Sequence, residues 1–361
     1  MNKICCLFLS VIALSAAAEK PKSPAELATV PKEFVCGDGT TFLYRWMEPA
    51  KTEPGKKYPL VILMHGSGER GTNNVEQLNW GATPIVNWAK ARKQELYMIV
   101  GQCPANDMWT ALRTVAGSQP MTPKPTKAMA HQFELVEWVL SGFLPVDPDR
   151  VYVTGLSMGG YGTWDMISRK PDMFAAAMPV CGGGDLAQVP KLRNLPIFIH
   201  HGEADGNVAV WNSRSMYAAL LLSGSNCVRY NEYPGCGHHS WRPAYDDMKN
   251  LDWLFAQRRP PAPEWRMVPV EKLPNGALKV VPPAPRYEVE FTVRCRDQKP
   301  TKVVGRRSGR FPVVTIGGRV AEGAVFDLRL DANQVLIADP KDGRKFDYTD
   351  IRVRALAKEE K

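Results

Sequence analysis

At 361 residues, 44% apolar and 23% charged, the chain is too long for a lone binding module and too apolar to be disordered throughout. It fits one large α/β domain, or a domain of about 250 residues with a smaller companion. The net charge of +9 favours anionic surroundings, but no zinc-finger spacing, RNA-binding signature or basic helix accompanies it, and nucleic acid is not an expected partner.

Lys3 opens the chain with a positive charge, Ile4 to Leu14 is apolar except for Ser10, and Ala16-Ala17-Ala18 offers small residues for cleavage. This predicts a secretory signal over residues 1–18 and a mature start near Glu19. Eleven apolar residues cover about half of a bilayer core, and no later stretch is long and apolar enough to cross one. The expectation is export to the periplasm or the extracellular medium, without stable membrane insertion after cleavage. An oxidising compartment permits disulfides among Cys36, Cys103, Cys181, Cys227, Cys236 and Cys295. Cys103 and Cys236 lie near motifs assigned below to one site and form the expected bridge; buried free thiols are the alternative.

Residues 19–33 are polar and proline-bearing and read as an extended lead-in. Thr41 to Trp46 reads as a strand. Short, continuously apolar runs follow at Leu60–Met64, Tyr97–Val100, Val151–Val153, Ala175–Val180 and Ile197–Ile199, the pattern of strands buried on both faces; Val228–Tyr233 is a further strand. Between them, Met129, Phe133, Val136 and Leu140 mark one helix face, and 158–169, 207–223 and 244–256 are also helix-like. The alternation predicts an α/β fold over residues 34–258, a mostly parallel sheet flanked by helices. Residues 259–263 are a proline-rich linker. Alternation at Tyr287–Cys295, with strand-like runs at Phe311–Ile316, Val325–Leu330 and Val335–Ile337, makes 264–361 a small β-rich unit of unassigned role.

The chemistry concentrates at Val151-Tyr152-Val153-Thr154-Gly155-Leu156-Ser157-Met158-Gly159-Gly160, a buried strand running into G-x-S-x-G. Such a strand-to-helix turn is so sharp that the serine takes strained backbone angles, and side chains at Gly155 and Gly159 would collide with it. The turn lifts the Ser157 hydroxyl above the sheet and aims the Met158 amide at a developing negative charge. A second strand ends in His65-Gly66-Ser67-Gly68, where the Ser67 amide completes an oxyanion hole; His65 itself reads as a brace for that loop. A serine needs a base, and the base needs a carboxylate. Of six histidines, His131 precedes the serine on a helix, and His200 and His201 sit at a strand end where side chains mostly fill space. His238 and His239 remain, on a loop after the last strand. Between serine and histidine, a strand runs into Gly202-Glu203-Ala204-Asp205; Asp205 is the expected acid, with Glu203 its rival and a helix N-cap its competing role. No H-E-x-x-H or phosphate-binding loop occurs, and no Cys or acid spacing completes a metal site around the histidine pairs. Trp109 and Trp241, on loops beside these blocks, are the expected walls of a substrate pocket.

Taken together, H-G-S-G-E-R-G at 65–71, Q-C-P at 102–104, G-L-S-M-G-G at 155–160, C-G-G-G-D at 181–185, H-G-E-x-D at 201–205 and G-x-G-H-x-S-W at 235–241 resemble bacterial α/β-hydrolases of a peptidase/esterase group. These are relatives of polyhydroxybutyrate depolymerase, feruloyl and acetylxylan esterases and dienelactone hydrolase. The resemblance covers roughly residues 35–257. It implies the α/β-hydrolase fold, with Ser157 as nucleophile, Asp205 as acid and His238 as base, because the family base directly follows a glycine, here Gly237. Cys236 departs from the small aliphatic residue expected before that glycine. The C-terminal unit resembles no known family. The implied activity is cofactor-free hydrolysis of a carboxylic ester through an acyl-enzyme, with acetyl or feruloyl esters on polysaccharide as fitting substrates. The alternatives are a peptidase on the same three residues and an inactive hydrolase fold that binds carbohydrate.

Overall fold

The computed structural model describes residues 21–111 and 120–259 and, beyond them, 266–267, 270–274, 277–282, 287–295, 301–307, 313–316, 319–320, 327–330, 335–338 and 346–355. The expected signal segment, and residues 260–263 of the expected linker, lie outside these. The chain divides into two compact units, Met1–Pro260 and Pro261–Lys361.

The described part of the first unit is built on β1 (Val30–Val35), β2 (Thr41–Met47), β3 (Tyr58–Met64), β4 (Tyr97–Gly101), β5 (Val146–Leu156), β6 (Ala176–Val180), β7 (Ile197–Gly202) and β8 (Val228–Tyr233). They form one sheet in the order β1-β2-β4-β3-β5-β6-β7-β8. β1, β2 and β4 pair antiparallel, and from β4 to β8 every pairing is parallel. The flanking helices are α1 (Pro24–Ala28), α2 (Ala82–Arg92), α3 (Lys127–Leu140), α4 (Met158–Arg169), α5 (Val189–Leu192), α6 (Trp211–Leu222), α7 (Trp241–Asp246) and α8 (Met248–Ala256).

β3 shows why its residues are all apolar. Leu60, Ile62 and Met64 enter one core with Phe133 of α3, Trp164 of α4 and Leu220 of α6. Val61 and Leu63 enter a second core on the opposite face with Ile85 of α2 and Leu251 of α8. A strand covered on both faces has no polar side. In a sheet of this kind the loops at the carboxyl ends of the parallel strands share one edge, where ligands bind.

Two expectations differ from the structure here. Within residues 21–33 the lead-in expected to be extended is helical over α1, where Ser23 and Glu26 form a reciprocal capping box, and extended in β1, which adds an antiparallel edge to β2. Arg45, buried at 6% exposure, fixes the segment by donating to the Glu26 and Thr29 carbonyls and the Thr29 hydroxyl. The helix expected over 244–256 is broken at Asp247, whose carboxylate accepts from the Lys249 amide and starts α8 afresh.

The second unit, as described, holds two antiparallel sheets. Tyr287–Cys295 pairs with Thr301–Arg307 on one side and Phe346–Ala355 on the other, and Val289, Phe291 and Val303 are buried.

Candidate active site

Ser157 sits between β5 and α4 at φ 53°, ψ −116°, a strained conformation for a residue with a Cβ. Close packing holds it there. A Cβ on Gly159 would strike the carbonyl of Met64 at the end of β3. The Ser157 amide donates to the Val180 carbonyl at 3.0 Å and points at the Cys181 Sγ at 3.3 Å, tying the turn to the end of β6.

From Oγ of Ser157 to Nε2 of His238 is 2.9 Å, and from Nδ1 of His238 to Oδ2 of Asp205 is 2.8 Å. The three side chains come from loops after β5, β8 and β7, 81 residues separating the first two. Asp205 combines both roles weighed for it. Its Oδ1 accepts the amides of Asn207 and Val208, each at 2.9 Å, so it caps the turn, while Oδ2 faces the imidazole. Burial works to raise the Asp205 carboxyl, but hydrogen bonds from His201, His238 and the two amides outweigh it and hold the group well below the usual carboxylate range. It is an anion throughout the neutral range.

The approach of the acid and histidine loops depends on Gly202. A Cβ there would collide with the backbone carbonyls of Cys236 and Gly237. The Ala204 amide donates to the Cys236 carbonyl at 2.9 Å, and the carboxylate of Glu203 accepts the Gly235 amide at 3.0 Å. Glu203 is thus a clasp between the loops rather than the partner of His238. His239 is exposed and lies against the Trp241 ring.

His201 was expected to fill space. Its Nε2 donates to the Val208 carbonyl at 3.0 Å and stands 3.4 Å from Oδ2 of Asp205, with both side chains fully buried. Val208 offers only an acceptor, so Nε2 carries a proton that goes to the Val208 carbonyl and lies beside the carboxylate, while Nδ1 pairs with the Ser213 hydroxyl at 2.7 Å. The H-G-E-x-D spacing held this signal: the pair is four residues apart across a tight turn.

The amides of Ser67 and Met158 have no hydrogen bond to another described residue. Beneath the first, His65 donates from Nδ1 to the Gly66 carbonyl at 2.6 Å and accepts the Cys103 amide on Nε2 at 3.0 Å. Burial lowers its pKa to about 4, so the ring is neutral. Gln102 donates to the Glu69 carbonyl and accepts the Asn74 amide, which joins the Q-C-P and H-G-S-G-E-R-G blocks into one brace.

Trp109 is not a pocket wall. It is fully buried, and its indole N–H donates to the His65 carbonyl at 3.1 Å, so it is a strut under the Ser67 loop. The expected Cys103–Cys236 bridge is absent. Both are free thiols, as are Cys36, Cys181 and Cys227. Cys103 is enclosed beside His65, with its thiol pushed up to about 12 by burial, whereas Cys236 lies in the histidine loop with its thiol toward the Gly237 carbonyl. Trp241 is 7% exposed and meets His238 edge-to-face at 5.1 Å.

One group of potential metal ligands occurs among the described residues: Cys181, Asp205 and His238, with ligand atoms within 4.8 Å of one another. Its members fit a metal poorly. Both nitrogens of His238 are engaged, and burial pushes the Cys181 thiol up to about 12, which keeps it protonated. No helix among the described residues is long and apolar enough to cross a membrane.

The arrangement can activate a hydroxyl and stabilise an oxyanion. The chain is similar in sequence and fold to known hydrolases. The phospholipase/carboxylesterase family model matches residues 50–251. A poly(3-hydroxyoctanoate) depolymerase from Pseudomonas fluorescens is 25% identical over 280 residues, covering 70% of this chain and 94% of that one. An uncharacterized secreted protein of Arthroderma benhamiae is 31% identical over 144 residues, which are 31% of this chain and only 15% of that protein. Among solved structures, a thermostable esterase superposes with a TM-score of 0.59 at 37% identity, over 64% of each chain.

Proposed function

Because the chain belongs to the phospholipase/carboxylesterase family and has the α/β-hydrolase fold of esterases, we propose that it is an exported serine esterase. In this reading it cleaves carboxylic esters through an acyl-enzyme, with acetyl or feruloyl groups on polysaccharide as fitting substrates. The observation that carries it is the unbroken relay from the Ser157 hydroxyl through His238 to Asp205, 2.9 Å and 2.8 Å.

His238 takes the Ser157 proton on Nε2 as Oγ bonds to the ester carbonyl carbon. The carbonyl oxygen becomes an oxyanion facing the amides of Met158 and Ser67, each such donor contributing about 3 kcal/mol to the transition state. Asp205 keeps the imidazole in the tautomer that accepts at Nε2 and stabilises the imidazolium once it forms. The imidazolium gives its proton to the departing alcohol. Water then enters, loses a proton to His238 and releases the acid by the same steps. The strain at Ser157 presents Oγ without a reorganisation at the moment of reaction. Export is supported by the signal-like residues 1–18 and by a relative described as secreted.

A fluorophosphonate probe tests the mechanism. It should label Ser157, and a panel of acetylated, feruloylated and aliphatic esters should be hydrolysed. Faster cleavage of unblocked peptides than of any ester would make the protein a peptidase, and an unlabelled serine would make it a binding protein.

A further inference from the structure

Cys181 directly follows β6 and sits at φ 40°, in the left-handed region that a residue with a Cβ rarely adopts. The next three residues are glycines, and a glycine at 181 would carry no such strain. The side chain kept there despite the strain is a fully enclosed thiol. Its Sγ stands 3.3 Å from the Ser157 amide nitrogen. It also lies within 4.8 Å of a carboxylate oxygen of Asp205 and a ring nitrogen of His238. One sulfur therefore borders on all three members of the relay, which reach it from separate loops.

A further contact comes from the histidine loop. Ser240, two residues after His238, stands at the N-cap of α7, where a serine ordinarily accepts an amide of the first helical turn. Here the side chain caps nothing. Its hydroxyl is fully buried, has no nitrogen or oxygen partner among the described residues, and meets the Cys181 sulfur instead. Burial pushes that thiol up to about 12, so it keeps its proton, sets no charge beside Asp205 and does not compete with Ser157 as a nucleophile.

We propose that Cys181 is a positioning residue for the nucleophile: its thiol registers the Ser157 turn against the histidine loop and so sets the reach from Oγ to Nε2. The Ser157 amide is already satisfied by the Val180 carbonyl at 3.0 Å, so the sulfur directs the turn rather than completing its hydrogen bonds. Val180 ties that turn to β6 alone. Cys181 couples it to Ser240, whose loop carries His238. The sulfur accepts from the Ser157 amide and the Ser240 hydroxyl, which leaves its S–H for the side of Asp205 and His238. Each contact of a thiol is weak, but a nucleophile displaced by about 1 Å loses roughly 10²-fold in rate, so a small error in register is enough to be read.

This role rests on the esterase reading, and the test separates the two. On the full chain, kcat and KM for p-nitrophenyl acetate, the rate of fluorophosphonate labelling of Ser157 and thermal melting are compared for Cys181→Ala, Cys181→Gly, Cys181→Ser and Ser240→Ala. Glycine relaxes the backbone at 181, so Cys181→Gly decides the matter even where the alanine variant does not fold. Loss of the sulfur should lower kcat and the labelling rate about tenfold, with KM within about twofold of the wild type. Cys181→Ser keeps a donor and an acceptor and should return to within about threefold of the wild type. Ser240→Ala should lose about threefold alone and nothing more when added to Cys181→Ala, because both act through one contact. A wild-type kcat in the glycine variant, a serine variant as slow as the alanine one, or losses that multiply in the double variant would each overturn the proposal. If the wild type cleaved peptides but no ester, the esterase reading would fail, and the labelling rates would still decide the role of Cys181, since the probe reports the relay and not the substrate.

Discussion

The imidazoles of His201 and His238 converge on a single oxygen, Oδ2 of Asp205, at 3.4 Å and 2.8 Å. The buried acid therefore faces a second imidazole, carried by the end of β7, as well as that of His238. His201→Ala should lower kcat on p-nitrophenyl acetate about tenfold, the worth of about 1–2 kcal/mol for a lost hydrogen bond to a buried charge, with little change in KM. His201→Gln places an amide N–H near the lost Nε2–H and should recover most of the rate. Steady-state kinetics of both variants decide it: equal loss in Ala and Gln would reduce His201 to a packing residue.

Asp205 and Glu203 stand two residues apart with different work. Asp205→Asn removes the charge that holds the imidazole tautomer and should reduce kcat by about 10⁴-fold. Glu203→Gln loses only part of the clasp on the Gly235 amide and should stay within about tenfold of the wild type. Comparing kcat of the two variants checks the assignment, and reversed magnitudes would transfer the role to Glu203.

Gly202→Ala should inactivate without unfolding. The added methyl meets the Cys236 and Gly237 carbonyls, so the histidine loop must move, and displacement of about 1 Å costs roughly 10²-fold in rate. The expected result is a native circular dichroism spectrum with fluorophosphonate labelling of Ser157 slowed about a hundredfold.

The buried His65 gives stability a pH dependence whose sign follows from its state. Its pKa falls from 6.5 to about 4 on folding through burial, so between those values the unfolded chain binds more protons than the folded one. Stability is then greatest above pH 6.5 and falls on acidification toward pH 4, by about 2 kcal/mol between pH 7 and 5. Protonation would set a donor at Nε2 against the Cys103 amide. Urea denaturation at both pH values checks this. His65→Gln should lessen that slope without abolishing it, because burial lowers His200 to about 3 as well, and an unchanged slope in the variant would count against the assignment.

The residues that must act locally are legible in the sequence. A strand buried on both faces is an uninterrupted apolar run, and a nucleophile on a sharp turn needs glycines two places before and after it, so β3, β5 and Ser157 can be read directly. Neighbours along the chain set those features. The choice of His238 over His239 already required a resemblance, since adjacent residues of one type carry the same local signal; Asp205 could be preferred to Glu203 from the sequence, but only the fold shows Glu203 engaged with the Gly235 amide instead. The second imidazole on Asp205, the need for Gly202 and the role of Trp109 as a strut lie further out of reach. Each depends on segments far apart in sequence meeting within a few ångströms, and no local pattern records which backbone carbonyl or ring arrives there. Sequence determined the chemical groups and the loops that bear them. Tertiary packing alone decided which of those groups touch, because contact is a property of the folded sheet edge and not of the chain.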